Sequence, residues 1–137
     1  RQEMLAEIGL MSEDYFLYYE EVDFCLRAAR AGWECWHVPE SRVVHLVGQS
    51  TNVTRRTSKP SRRPRYWFES RRHYFMSNHG RTYAVLADLA WLSGFGLRRV
   101  RRPLRRGGDD VPPHLFKDFL RHSALRASAE GRGSRGD

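Results

Sequence analysis

Cysteine is scarce in this chain of 137 residues. Cys25 and Cys35 are the only two, too few for a disulfide framework and not spaced as a Cys-x-x-Cys pair, so a reducing, cytoplasmic setting is expected. Also missing are a Walker loop, a Gly-x-Gly-x-x-Gly turn, a His-Glu-x-x-His zinc motif and a nucleophile elbow. P-loop chemistry, dinucleotide binding on a Rossmann turn, zinc proteolysis and serine hydrolysis therefore have no carrier here. No hydrophobic run is long enough to cross a bilayer. The most apolar block, residues 83–97, would reach about 22 Å as a helix, against a hydrocarbon core of about 30 Å, and Asp88 stands near its middle. Hydrophobic residues make up 40% of the chain, below the usual share for a compact soluble domain, so part of it is expected to be peripheral or extended.

Acid is also nearly absent from the middle of the chain. Residues 1–54 hold 4 basic and 9 acidic side chains, residues 55–106 hold 15 and 2, and the remainder holds 5 and 5. The middle is a polycation, and its two candidate partners are nucleic acid and an anionic membrane surface.

Three of the acids cluster in one stretch, YFLYYEEVDFCLRAARAGW from Tyr15 to Trp33. An aromatic run delivers Glu20, Glu21 and Asp23 to the start of a helical pattern. Val22, Cys25, Leu26 and Ala29 form one apolar stripe, Asp23, Arg27 and Arg30 lie opposite, and Gly32 is the expected stop. Unpaired N–H groups at a helix start favour ionised carboxylates, while aromatic neighbours shield them, and an ionised yet shielded carboxylate suits a general base. The alternative is that these acids only complement the helix dipole. Asp23 is also spaced for a surface ion pair with Arg27.

The rest reads in order. Residues 2–8 end a helix closed by Gly9, and 10–14 form a loop. Residues 34–38 and 42–47 each fit a strand, broken at Pro39-Glu40. His45 shares a strand face with Val43 and Val47, where it either points into a site or is satisfied by a neighbour. Residues 51–64 read as a mobile loop. Residues 65–79 form a strong helical pattern that mixes Tyr66, Trp67, Tyr74 and Phe75 with arginines. Such a helix suits a membrane surface, stacking on single-stranded nucleic acid, or packing on a neighbouring domain. Residues 82–97 are nearly apolar all round, 115–125 form a last short helix, and 127–137 read as a disordered tail.

YYEEVDFCLRAARAGW followed by HVPESRVVHLVGQST resembles the C-terminal half of the catalytic domain of inverting family 2 glycosyltransferases, in the rhamnosyltransferase-like, exopolysaccharide-building branch. The likeness runs from about residue 4 to residue 50. It implies an α/β fold of GT-A type, with residues 1–50 as the C-terminal portion of the catalytic domain and 65–126 as a basic helical extension. It also implies transfer of a sugar from a nucleotide-sugar donor to a glycan or lipid-linked acceptor. Glu21, the second acid of the pair, takes the position of the general base, with Glu20 beside it and Asp23 as the rival. Most members carry Asp there, and the extra methylene of Glu shifts the carboxylate. Tyr19, Arg27 and Trp33 are the implied substrate contacts, and His45 the implied ligand of Mg²⁺ or Mn²⁺. The main metal ligands of such enzymes form an Asp-x-Asp motif, which this sequence lacks. The chain also opens on Arg1 inside a helical pattern, so a fragment inactive by itself is expected.

Two functional classes follow. One is the acceptor-side half of a glycosyltransferase, held by residues 65–106 on the cytoplasmic face of a membrane, with Tyr83 and Trp91 at the headgroups and Asp88 turned to water. The other is a basic nucleic-acid-binding module, against which stands the apolar block 82–97.

Overall fold

The computed structural model describes residues 1–44, 60–101 and 111–126. Among these it contains four helices, α1 (Gln2–Ile8), α2 (Glu20–Arg30), α3 (Arg65–Arg101) and α4 (Leu115–His122), and no strand. The α/β expectation is thereby corrected to an all-helical architecture. A strand exists through hydrogen bonds to a neighbouring strand. Alternation at 42–47 could choose a buried face but could not supply a partner, and the described residues contain none. Residues 34–38 and 42–44 accordingly run without regular structure, with Trp36, Val43 and Val44 exposed. The expected break at Pro39-Glu40 is a turn, in which the Ser41 N–H donates to the Val38 carbonyl at 3.0 Å.

The chain divides into two compact units, Arg1–Arg56 and Thr57–Asp137. In the first, α2 stops where the sequence says it should. Gly32 adopts φ 84°, the Gly32 N–H donates to Ala29 (3.1 Å) and the Trp33 N–H to Ala28 (2.9 Å). This is a Schellman closure, which needs a residue that tolerates the left-handed region. Arg27 ties the helix to what precedes it, donating to the carbonyls of Ile8 and Leu10 (2.8 Å for the latter) and to Asp23 at 2.9 Å. It thereby satisfies a carbonyl that the end of α1 leaves open.

That arrangement reverses the expected orientation of α2. Val22, Cys25 and Ala29 are exposed and Leu26 is half-buried, whereas Asp23 and Ala28 are buried. The demand of two backbone carbonyls and a buried carboxylate for one guanidinium decides which face turns inward. A buried acceptor left unpaired costs about 1–3 kcal/mol, comparable with burial of one of the small apolar side chains of the stripe.

In the second unit α3 is two helical arms. Gly80 breaks the helical backbone at φ 78°, ψ 171°. Side chains 17 residues apart, Arg71 and Asp88, form an ion pair, whereas a straight helix would separate them by roughly 25 Å. The arms therefore fold back on each other. At the turn Tyr83 stacks on His79 and Phe75, with ring centroids 4.7 and 5.9 Å away. Helix α4 lies across both arms. Phe119 stacks on Trp91 at 3.8 Å and Phe116 on Phe95 at 5.4 Å, while His122 stacks on Phe68 at 5.8 Å. Arg62 donates twice to Asp118, both at 2.7 Å, and this hydrogen bonding holds the Asp118 carboxyl below the usual carboxylate range.

The turn at Gly80 makes a sharp expectation. Its dihedrals lie in a region that side chains other than glycine adopt at a cost of about 1–3 kcal/mol. A Cβ there would meet nothing within 4 Å, so the cost is conformational rather than steric. Gly80→Ala should lower the urea midpoint accordingly. Gly96→Ala, within the second arm and equally unhindered, should raise stability by up to about 1 kcal/mol. Equal effects at the two positions would remove the argument.

Candidate active site

The acids of the first unit sit on one turn whose entry is strained. Tyr18 and Tyr19 both adopt left-handed backbone, φ 70° and 73°, and Tyr19 is the N-cap of α2 without a side-chain cap hydrogen bond. For a residue with a Cβ this conformation costs about 1–3 kcal/mol, and it persists where surrounding contacts over-determine it. Two in succession swing the chain from the aromatic run directly into the first turn of α2, where Glu20, Glu21 and Asp23 follow.

Those three carboxylates occupy three different environments. Asp23 is 5% exposed and both of its oxygens are engaged, Oδ1 by the Tyr15 hydroxyl at 3.2 Å and Oδ2 by Arg27 Nε at 2.9 Å. The ion pair expected from spacing is present, but it is buried rather than on the surface. Glu20 is half-buried, and its Oε2 is shielded from solvent with no hydrogen-bond partner among the described residues. Glu21 is exposed. A reacting hydroxyl can reach Glu21, whereas Asp23 is buried with a donor already on each oxygen.

Arg27 is occupied beneath Asp23 as described. Trp33 lies at the far end of α2, where its Nε1 donates to Glu7 at 2.8 Å, so it holds α2 to α1. Tyr19 is half-buried beside the acids. Cys25 stands within electrostatic reach of the same turn. What burial the thiol has, then the adjoining Cys35 and the Glu21 carboxylate, push its pKa above the ordinary thiol value. His45 lies outside the described residues. Among the described residues no group of three or more His, Cys, Asp or Glu side chains is arranged to hold a metal ion. The described residues by themselves therefore do not make a cation site.

Sequence reasoning missed the part of Tyr15, whose hydroxyl supports Asp23 across eight residues, and the coupling of Trp33 to Glu7 across 26. Both are tertiary contacts without a periodic signal. The aromatic run before the acids was the only hint of the first.

Of the three alternatives left open for the basic middle, packing against other elements is the one seen among the described residues. Its aromatic side chains stack on one another and on α4, with Arg71 lying over Phe75 and Phe119 at 4.9 and 5.0 Å. The rings that single-stranded nucleic acid would stack on are thus used internally. Asp88 is not turned to water but is 1% exposed, and Trp91 lies against Phe119. Among the described residues no helix is long and apolar enough to cross a membrane.

Over 130 residues the chain is 32% identical to two N-acetylglucosaminyl-diphospho-decaprenol L-rhamnosyltransferases of Mycobacterium tuberculosis, from strains CDC 1551 / Oshkosh and ATCC 25618 / H37Rv. The match covers 92% of this chain, and the chain spans 35% of the length of these curated relatives. A span that long within 137 residues necessarily includes the turn that carries Glu20, Glu21 and Asp23. What the comparison shows is similarity to two named rhamnosyltransferases along nearly the whole of this chain. No known family profile and no solved structure matches it.

Proposed function

We propose that this chain belongs to an inverting glycosyltransferase, which moves a sugar from a nucleotide-sugar donor to a lipid-linked acceptor in the synthesis of a cell-surface polysaccharide. Glu21 serves as its general base. The observation that carries the reading is the likeness to the two rhamnosyltransferases along nearly the whole chain, a span that contains the acidic turn. L-Rhamnose is accordingly the first sugar to try, and an N-acetylglucosaminyl-diphospho-polyprenol the first acceptor.

In the proposed step the acceptor hydroxyl oxygen forms its bond to the anomeric carbon while the bond from that carbon to the nucleotide diphosphate breaks. The hydroxyl proton passes to the Glu21 carboxylate, and attack opposite the leaving group inverts the anomeric configuration. A positioned base of this kind contributes roughly two to four orders of magnitude. Asp23 and Arg27 act as supports: they fix the pitch of the first turn of α2 and hence where Glu21 stands. Tyr19, at the entry to the same turn, is proposed to line the acceptor.

The test is transfer of labelled L-rhamnose from its nucleotide-activated form to the N-acetylglucosaminyl-diphospho-polyprenol, with the product's anomeric configuration read by NMR. The gene's full product should transfer with inversion, and the isolated 137 residues should not. Retention of configuration, or no transfer of any nucleotide-activated sugar, would sink the reading. A divalent cation, Mg²⁺ or Mn²⁺, with His45 among its ligands belongs to the same proposal. Its check is the same assay on His45→Ala, where an unchanged metal requirement ends that part.

A further inference from the structure

The second arm of α3 is apolar on two faces, and among the described residues only one of them is covered. Ala84, Asp88, Trp91 and Phe95 face the first arm and α4. On the other side Leu86, Leu97 and Val100 are 59, 50 and 75% exposed, and Tyr83, 51% exposed, lies at the edge of this face, where it also stacks on His79 and Phe75. Tyr83, Leu86, Leu97 and Val100 fall at i, i+3, i+14 and i+17, one stripe of a 3.6-residue helix, with the small Ala90 and Ser93 between them. The stripe runs for about 26 Å at 1.5 Å per residue. At its end Arg98, Arg99 and Arg101 are all exposed. Beside it opens a groove of about 370 Å³, lined by Trp91, Phe95, Pro112 and Leu115 with Arg98 among them.

Charge selects the occupant. Asp88 is the only acid in residues 81–101, and it is buried against Arg71, so the exposed face is apolar along its length and purely cationic at its end. A second copy docked parallel through this face would bring two sets of three arginines together, and an antiparallel copy would bring them to an end that holds Arg81 and no acid. Like charges held close without partners oppose such pairing. An anionic bilayer meets both demands, since acyl chains take the stripe and lipid phosphates take the arginines.

We infer that the exposed face of the second arm is a membrane-docking surface that lies in the interface of an anionic bilayer. Arg98, Arg99 and Arg101 contact lipid phosphate, and the Arg71–Asp88 side stays inside the protein. The bilayer is held by a face that the fold leaves open, while the fold itself is closed on the opposite face. Sugar transfer is not needed for this docking, and neither donor nor Glu21 takes part in it.

Flotation of the full chain with vesicles decides the matter. Vesicles of phosphatidylcholine with phosphatidylglycerol should carry the protein and vesicles of phosphatidylcholine alone should not, with binding weakened by salt. Leu86→Glu with Leu97→Glu, both on the exposed face, should lower binding at least about tenfold while the helical circular dichroism persists. Replacing the three arginines by Gln should cost roughly fivefold each. Glu21→Gln should bind vesicles as the parent does, so loss of sugar transfer and loss of docking are separable. The inference is overturned if the chain stays soluble with anionic vesicles. It is equally overturned if binding needs the arginines but survives the two glutamates, or if sedimentation shows a dimer that Leu86→Glu dissolves and no vesicle binding accompanies it.

Discussion

Asp88→Ala should lower the stability of the second unit by about 3–5 kcal/mol, the cost typical of removing one partner from a buried ion pair. Asp88 is 1% exposed and uses both oxygens, one for Arg71 and the other for the Ala124 N–H at 2.7 Å. It thus joins the first arm, the second arm and the segment after α4 at a single point. Alanine leaves a guanidinium buried between Phe75 and Phe119 with, among the described residues, only the Ala87 carbonyl to accept from it, at 3.2 Å. It also strands a buried backbone N–H, a further penalty of about 1–3 kcal/mol where no water replaces the carboxylate. Urea unfolding followed by circular dichroism gives the loss. The comparison that isolates the cause is Arg71→Met with Asp88→Leu: removing both charges should cost much less than removing one, because the penalty lies in the uncompensated ion rather than in the missing attraction. A single Asp88→Ala loss below about 1 kcal/mol would show that the pair does not hold the arms together.

In the enzyme proposed above, Glu21→Gln should lower turnover by roughly two to four orders of magnitude with donor affinity unchanged, because the amide keeps the shape of the side chain but cannot take a proton. Asp23→Asn separates the two acids by a different signature. Its oxygens are engaged by Tyr15 and Arg27, so the amide should weaken the first unit, measurable in urea, and reduce turnover only as far as the turn carrying Glu21 is disturbed. Single-turnover rates with donor titration distinguish these outcomes. A larger loss of turnover in Asp23→Asn, with stability unaltered, would transfer the role of base to Asp23. Glu21→Asp adds a geometric reading. The carboxylate retreats by one methylene from a site built for glutamate, so a rate between those of parent and Gln is expected.

Most local punctuation was legible in the sequence. Gly32 closes α2 through hydrogen bonds within five residues, so the Gly-Trp pair was sufficient evidence. The aromatic-basic helix begins at Arg65 and α4 begins at Leu115, where the patterns placed them. The acids at the start of α2 were legible for the same reason. What failed was every inference that required knowing what stands opposite. Val22, Cys25 and Ala29 made a credible core stripe, yet Asp23 and Ala28 are the buried residues, because Arg27 has to reach Ile8 and Leu10. Alternation at 42–47 made a credible strand, yet no second strand lies among the described residues to pair with it.

The second arm of α3 shows where the division falls. Its composition determined a helix too short to cross a bilayer, apolar all round and followed by arginines, since propensity, length and charge belong to the residues themselves. It placed Asp88 facing water, the simplest reading of a carboxylate in an apolar helix. Only the reversal at Gly80 brings Arg71 to it from 17 residues away, and only α4 supplies the Ala124 N–H and the Phe119 ring that close the site. A buried charge is tolerable when a partner of opposite sign and a hydrogen-bond donor both arrive. Their arrival is a property of how the chain folds back on itself. The same fold decided which apolar face was used up inside and which was left for a partner.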